Sequence, residues 1–166
     1  MAAKKPQPRL KVWLDDPSYV DLAQFITEQG SPAHIAEDLR QLFTRVAFNI
    51  AVANRDDHLR NHGFMRTPAG WRLAKAYDMN PSVKKPDHVL GIDEGLHEPS
   101  LATLLETAPY YKLDEPEAKE IIEKVLSVVV KWRARAKALH ISLADVEEME
   151  HLFITEFENS VSLVRH

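Results

Sequence analysis

Apolar positions recur at helical spacing along most of this chain, and the polar residues between them mark where the helices start and stop. Tyr19, Leu22, Phe25 and Ile26 share one face, Asp16-Pro17 reads as a cap followed by proline at the first helical position, and Gly30 supplies a stop, which predicts a helix near 17–28. Ser31-Pro32 repeats the start signal, and Ile35, Leu39, Leu42, Phe43, Val46 and Ile50 carry a second helix over 32–53. That helix becomes apolar on nearly all sides towards its end. A helix of that kind is buried, so the polar stretch beginning at Asn54 leaves from the middle of the protein.

Gly63-Phe64-Met65 and Trp71-Arg72-Leu73 flank the turn-forming Thr67-Pro68-Ala69-Gly70 and predict a hairpin near 63–73. From Asn80 to Pro99 proline, glycine and charge dominate and predict a loop, with Val89 to Ile92 a candidate short strand. Ser100 caps a short helix with Leu101, Leu104 and Leu105 inward, ended by Pro109. Ile121, Ile122, Val125, Val128, Val129 and Trp132 form the stripe of a long core helix over 116–139. Ser142 with Asp145 approximates a capping box for a last amphipathic helix over 143–160, with Leu143, Val146, Met149, Leu152, Phe153 and Phe157 on its apolar face. The expected fold is mainly α, a helical lobe with one small β-hairpin: residues 1–15 as an extended or disordered tail and 16–166 as one domain.

Composition narrows the function. Apolar residues at 45% and charged residues at 28% match an ordinary globular chain of this length, which excludes wholesale disorder. The longest strongly apolar stretch, Phe48 to Ala53, is interrupted at Asn49 and falls far short of the roughly 20 residues that cross a bilayer. The basic N-terminus leads into no apolar run, so no secretory signal is read and a cytoplasmic location is expected. With no cysteine, disulfides, thiolate metal sites and cysteine nucleophiles are excluded and any chemistry falls to oxygen and imidazole. A net charge of −4 argues against direct nucleic-acid binding.

The densest polar constellation is Asn54-Arg55-Asp56-Asp57-His58-Leu59-Arg60-Asn61, followed by the hairpin and then by Tyr77-Asp78-Met79. Phosphoryl transfer by protein kinases uses a carboxylate to accept the substrate hydroxyl's proton, an amide oxygen five positions on, and a further carboxylate to hold magnesium. Asp56 and Asn61 have that spacing, and Asp78 follows where a hairpin returns the chain to the same place. Asp and Asn clusters also cap helices and build turns, and the spacing alone is a weak pattern. Asp57, one position off, suits a structural hydrogen bond. His58 suits a bond to a neighbouring carboxylate or carbonyl better than a transition metal. Trp132 and Tyr110-Tyr111 suit packing better than base stacking.

Arg45-Val46-Ala47-Phe48-Asn49, Asn54 to His58, Asn61-His62-Gly63-Phe64, Gly70-Trp71-Arg72-Leu73 and Ala76-Tyr77-Asp78 together resemble the C-terminal signature of HipA kinases. The resemblance reaches from about residue 16 to about 157, taking in Ser18-Tyr19 and the helix from Ala118 to Trp132. It implies Asp56 as catalytic base, Asn61 and Asp78 as magnesium ligands that also hold the ATP phosphates, and Asn54 and His58 as shapers of the loop. Lys75 departs from the family pattern, which usually has proline there. The resemblance further implies a toxin role, a HipB-like DNA-binding antitoxin as partner, and an aminoacyl-tRNA synthetase as a candidate protein substrate.

The five glycines, Gly30, Gly63, Gly70, Gly91 and Gly95, make neither a G-x-G-x-x-G cover nor a Walker loop. The N-terminal lobe that grips ATP is therefore expected to be missing, the chain being either truncated or completed by another. Three functions compete: the catalytic and metal-binding lobe of a Ser/Thr kinase, a non-catalytic module that binds an antitoxin or another subunit, and a metal-dependent hydrolase built on Asp56, Asp57, His58 and Asp78.

Overall fold

A computed structural model of the chain describes residues 16–82, 85–150 and 152. The architecture is mainly helical with one two-stranded antiparallel hairpin, as expected. Helix α1 spans Tyr19–Gln29, α2 Ile35–Ala51, α3 Leu101–Glu106, α4 Glu115–Val129 and α5 Trp132–Ala138; strands β1 and β2 span Phe64–Thr67 and Gly70–Leu73. Residues 143–150 are helical, and the rest of the helix expected to 160 lies outside the described residues, as do residues 1–15. No helix among the described residues is long and apolar enough to cross a membrane.

Helix α2 is the axis of the fold. Leu39, Leu42, Phe43, Val46, Ala47 and Ile50 are fully buried on it, and α1, α3, α4 and β2 pack around it. Phe43 meets Tyr111 edge-on with ring centroids 5.2 Å apart, and Tyr111 is buried while its neighbour Tyr110 is exposed. The hairpin is pinned to this axis by charge. Arg72 donates to both oxygens of the buried Asp38, at 3.0 Å and 3.2 Å through Nε, and Asp38 also accepts from the Leu73 backbone N–H at 3.0 Å. At the hairpin's tip Gly70 has φ +144°, and a Cβ there would stand 2.7 Å from the Gly30 carbonyl oxygen, so the close approach of hairpin and α1 requires glycine.

Several boundaries moved for local reasons. Helix α1 is capped by Ser18 in a capping box with Asp21, not by Asp16, because Ser18 and Asp21 satisfy each other's backbone N–H groups. Pro32–His34 form a single 3-10 turn before α2. The expected long helix breaks at Val130-Lys131, directly after a β-branched Val128-Val129-Val130 run that disfavours helix, and the Lys131 N–H bonds back only three residues to Val128. Val128, expected inward, is 62% exposed, because Ile122, Val125, Leu126 and Val129 take the core-facing side. Leu143 is exposed as well, whereas Val146 and Met149 are half-buried. Val89 to Ile92 form no strand; Gly91 instead makes one parallel bridge to Ser18, through Tyr19 N–H to Gly91 O at 2.9 Å and Gly91 N–H to Pro17 O at 3.0 Å.

Candidate active site

The polar loop starts where α2 stops. Ala53 takes a left-handed conformation with φ 55°, its N–H bonds Ile50 O at 3.2 Å, and the Asn54 N–H bonds Asn49 O at 2.8 Å, the paired bonds of a Schellman ending. The Asn54 side chain then donates to Asn49 Oδ1 at 3.0 Å, tying the first loop residue back to the last helical turn.

Two residues on, the chain splits its adjacent aspartates between interior and solvent. Asp57 points inward and is 2% exposed; its Oδ2 accepts from Tyr19 Oη at 2.6 Å, Asn49 Nδ2 at 2.7 Å and His62 Nε2 at 2.8 Å, and its carboxylate also takes a bond from the Asn61 side chain. Burial pushes the Asp57 carboxyl up, but the bonds and charge of His62 and the bonds of Tyr19 and Asn61 outweigh it and hold the carboxyl below its ordinary range. Asp57 is therefore a buried anion joining α1, α2 and both ends of the loop.

Asp56 faces outward, with its side chain 61% exposed and paired with Lys85. The bond and charge of Lys85 hold the Asp56 carboxyl down, so it stands ionised. Lys85 is kept in place by backbone bonds: Arg55 Nη1 reaches Lys85 O at 2.8 Å, Val89 N–H reaches Arg55 O at 3.0 Å, and Ser82 N–H reaches Ala53 O at 2.8 Å.

Asn61 ends the 3-10 turn Leu59–Asn61 and is buried. The Tyr77 hydroxyl donates to Arg60 O at 2.6 Å, and Arg45 Nη2 bonds the Ala74 carbonyl, which together lay the chain after the hairpin against the loop. Asn61, Tyr77 and Met79 consequently border one small cavity of about 10 Å³, with Arg45, Asn49, Asp57 and His62. Asp78, between Tyr77 and Met79, is exposed, has φ 55° and accepts from Asn80 Nδ2 at 3.0 Å. An amide oxygen and a carboxylate are hard donors of the sort magnesium takes, so these two residues fit that ion.

The carboxylate-bound histidine is His62, not His58. His58 is half-buried and its Nδ1 has no hydrogen-bond partner. Among the described residues no three His, Asp or Glu side chains group as a metal cage, so the hydrolase reading lacks its ligand set. Sequence reasoning passed over His62, Tyr19, Asn49 and Lys85. Asn49 had left a signal, as the one polar break in the apolar end of α2.

The site thus sits on a mainly helical lobe whose central buried helix opens into an Asp-Asn loop, followed by a hairpin and a further aspartate. The chain belongs to the HipA-like C-terminal domain family, whose model matches residues 4–133. Its fold is similar to that of a chain in the complex of toxin–antitoxin system HipA and HipB with operator DNA from Shewanella oneidensis MR-1, with a TM-score of 0.72 and 15% identity over 89% of this chain. The chain spans 37% of that chain's length. No curated protein matches the sequence.

Proposed function

We propose that this lobe supplies the base and the metal ligands of a Ser/Thr protein kinase of a toxin–antitoxin system, and acts when a nucleotide-gripping N-terminal lobe completes it. The observation that carries the reading is the division of labour between Asp56 and Asp57. An exposed, ionised carboxylate is free to meet a substrate hydroxyl, while its buried neighbour fixes the loop that carries it.

Asp56 would accept the hydroxyl proton as the oxygen attacks. Asn61 and Asp78 would hold magnesium through the amide oxygen and the exposed carboxylate. Magnesium and ATP, when bound, supply the transferable phosphoryl group and the shielding of its charge. Asp57, Asn49 and Tyr19 keep the spacing between Asp56 and Asn61. The family and the HipA–HipB–DNA neighbour support a HipB-like antitoxin as partner; the protein substrate, an aminoacyl-tRNA synthetase among the candidates, rests on family resemblance.

A second reading is a lobe that binds an antitoxin or subunit without turnover, which the HipA–HipB–DNA neighbour supports. Mixing the chain with a HipA N-terminal lobe and measuring magnesium-dependent phosphate transfer separates the two. Transfer that falls about 10²–10⁴-fold in Asp56→Asn supports the kinase. Full activity in Asp56→Asn sinks the base assignment, and antitoxin binding with no transfer supports the second reading.

A further inference from the structure

The pair of Lys85 with Asp56 is built more firmly than its own strength accounts for. The Lys85 ammonium bonds Asp56 Oδ1 while the two side chains stay 43% and 61% exposed, and a solvated pair of that kind adds next to nothing to stability. Its backbone is nevertheless tied on both sides to the stretch that carries Asp56. Lys85 O accepts from Arg55 Nη1 at 2.8 Å, Val89 N–H reaches Arg55 O at 3.0 Å and Ser82 N–H reaches Ala53 O at 2.8 Å. These ties fix a positive charge beside the exposed carboxylate. Arg60 and His58 act on Asp56 through charge alone, so Lys85 is the cation in contact with it.

An ammonium has three donors and Asp56 takes one, which leaves two for an anion. Because Lys85 takes Oδ1, Oδ2 is the oxygen left for a substrate proton. A hydroxyl about 2.6–3.2 Å from that carboxylate and about 3–3.5 Å from the phosphorus it attacks brings the phosphoryl oxygens beside the same ammonium.

We infer that Lys85 is a second catalytic group of this lobe, whose ammonium holds the phosphoryl group as it passes from ATP to the substrate hydroxyl. The inference rests on the kinase reading. As the hydroxyl oxygen bonds the γ-phosphorus, its proton passes to Asp56 Oδ2, and the bond from that phosphorus to the bridging oxygen breaks, its electron pair leaving with ADP. Lys85 stays protonated throughout and offsets the charge on the oxygens of the moving group, as a compact point charge can.

Binding without turnover gives the first test. Magnesium tripolyphosphate titrated calorimetrically into the full chain should bind about tenfold more weakly to Lys85→Met, the scale of one charge-assisted hydrogen bond, and with native strength to Lys85→Arg. Lys119→Met removes the same charge from α4 and should leave binding unchanged. Equal binding by the native chain and Lys85→Met, or an equal loss in Lys119→Met, would overturn the inference. In the lobe completed for phosphate transfer, kcat measured above the acid limb should fall about 10²–10³-fold in Lys85→Met, beyond the loss in ground-state binding, and recover in part in Lys85→Arg. Transfer that Asp56→Asn abolishes and Lys85→Met leaves intact overturns the role of Lys85 and spares the kinase reading. No transfer by the native lobe, with tripolyphosphate binding still dependent on Lys85, sinks the kinase reading and the catalytic role with it.

Discussion

Tyr19, the first residue of α1, donates a 2.6 Å hydrogen bond through its hydroxyl to Asp57, thirty-eight positions along the chain, and so joins the start of the fold to the middle of its polar loop. Tyr19→Phe removes one bond to a buried carboxylate and should cost about 1.5–3 kcal/mol in urea unfolding. Because the Asp57 carboxyl is depressed in the fold, its contribution is present above its unfolded value near 4 and is lost as pH falls through the lower folded value. In Asp57→Asn that acid-side loss should shrink, at the expense of lower stability at pH 7. An unchanged acid limb in Asp57→Asn would contradict the assignment.

His88 gives a pH dependence of the same direction from a different cause. It is 3% exposed and neither ring nitrogen has a hydrogen-bond partner. Burial, aided by Arg55, lowers it to about 4, so the folded protein holds it neutral while the unfolded chain takes up a proton near 6.5. Stability should fall as pH drops from about 6.5 to about 4, by on the order of 3 kcal/mol. Denaturant titrations of His88→Leu should show a flatter profile across that window.

Tyr111 should behave unlike Tyr19. Its hydroxyl is buried without a partner, and burial raises its pKa far above the ordinary phenol value. Tyr111→Phe keeps the ring against Phe43 and discards an unsatisfied group, so melting should be unchanged or raised by up to about 1 kcal/mol. A loss above that size would mean that the hydroxyl has a partner.

The helices and hairpin were legible because their signals are local: the Gly30 stop, the Ser100 cap and the alternation around Pro68-Ala69 act within a few residues. The break at Val130-Lys131 was not, since neither glycine nor proline marks it and the β-branched run that does is also the core stripe. At the site, the spacing of Asp56 and Asn61 could be read, and the outward and inward faces of Asp56 and Asp57 could not. That choice depends on Tyr19, Asn49 and His62, which converge only after α1 packs on α2. Lys85 was hidden for the same reason, twenty-nine positions from its partner in a loop with no periodic pattern.

Lys85 supplies the last prediction. Its bond and charge are the two largest influences on the Asp56 carboxyl, and both lower it, so removing the ammonium should let that carboxyl rise. The pair is exposed and salt-screened, and neutral-pH stability should therefore barely change in Lys85→Met. A carboxyl carbon-13 titration of the isolated chain should show Asp56 protonating at higher pH in Lys85→Met than in the native chain, with Lys85→Arg restoring the native position. In the lobe completed for phosphate transfer, a base must be ionised to accept the proton, so the acid limb of kcat/KM should move to higher pH in Lys85→Met by the same amount. A carboxyl that shifts while the acid limb stays fixed would show that Lys85 tunes Asp56 but that Asp56 is not the group whose ionisation governs transfer.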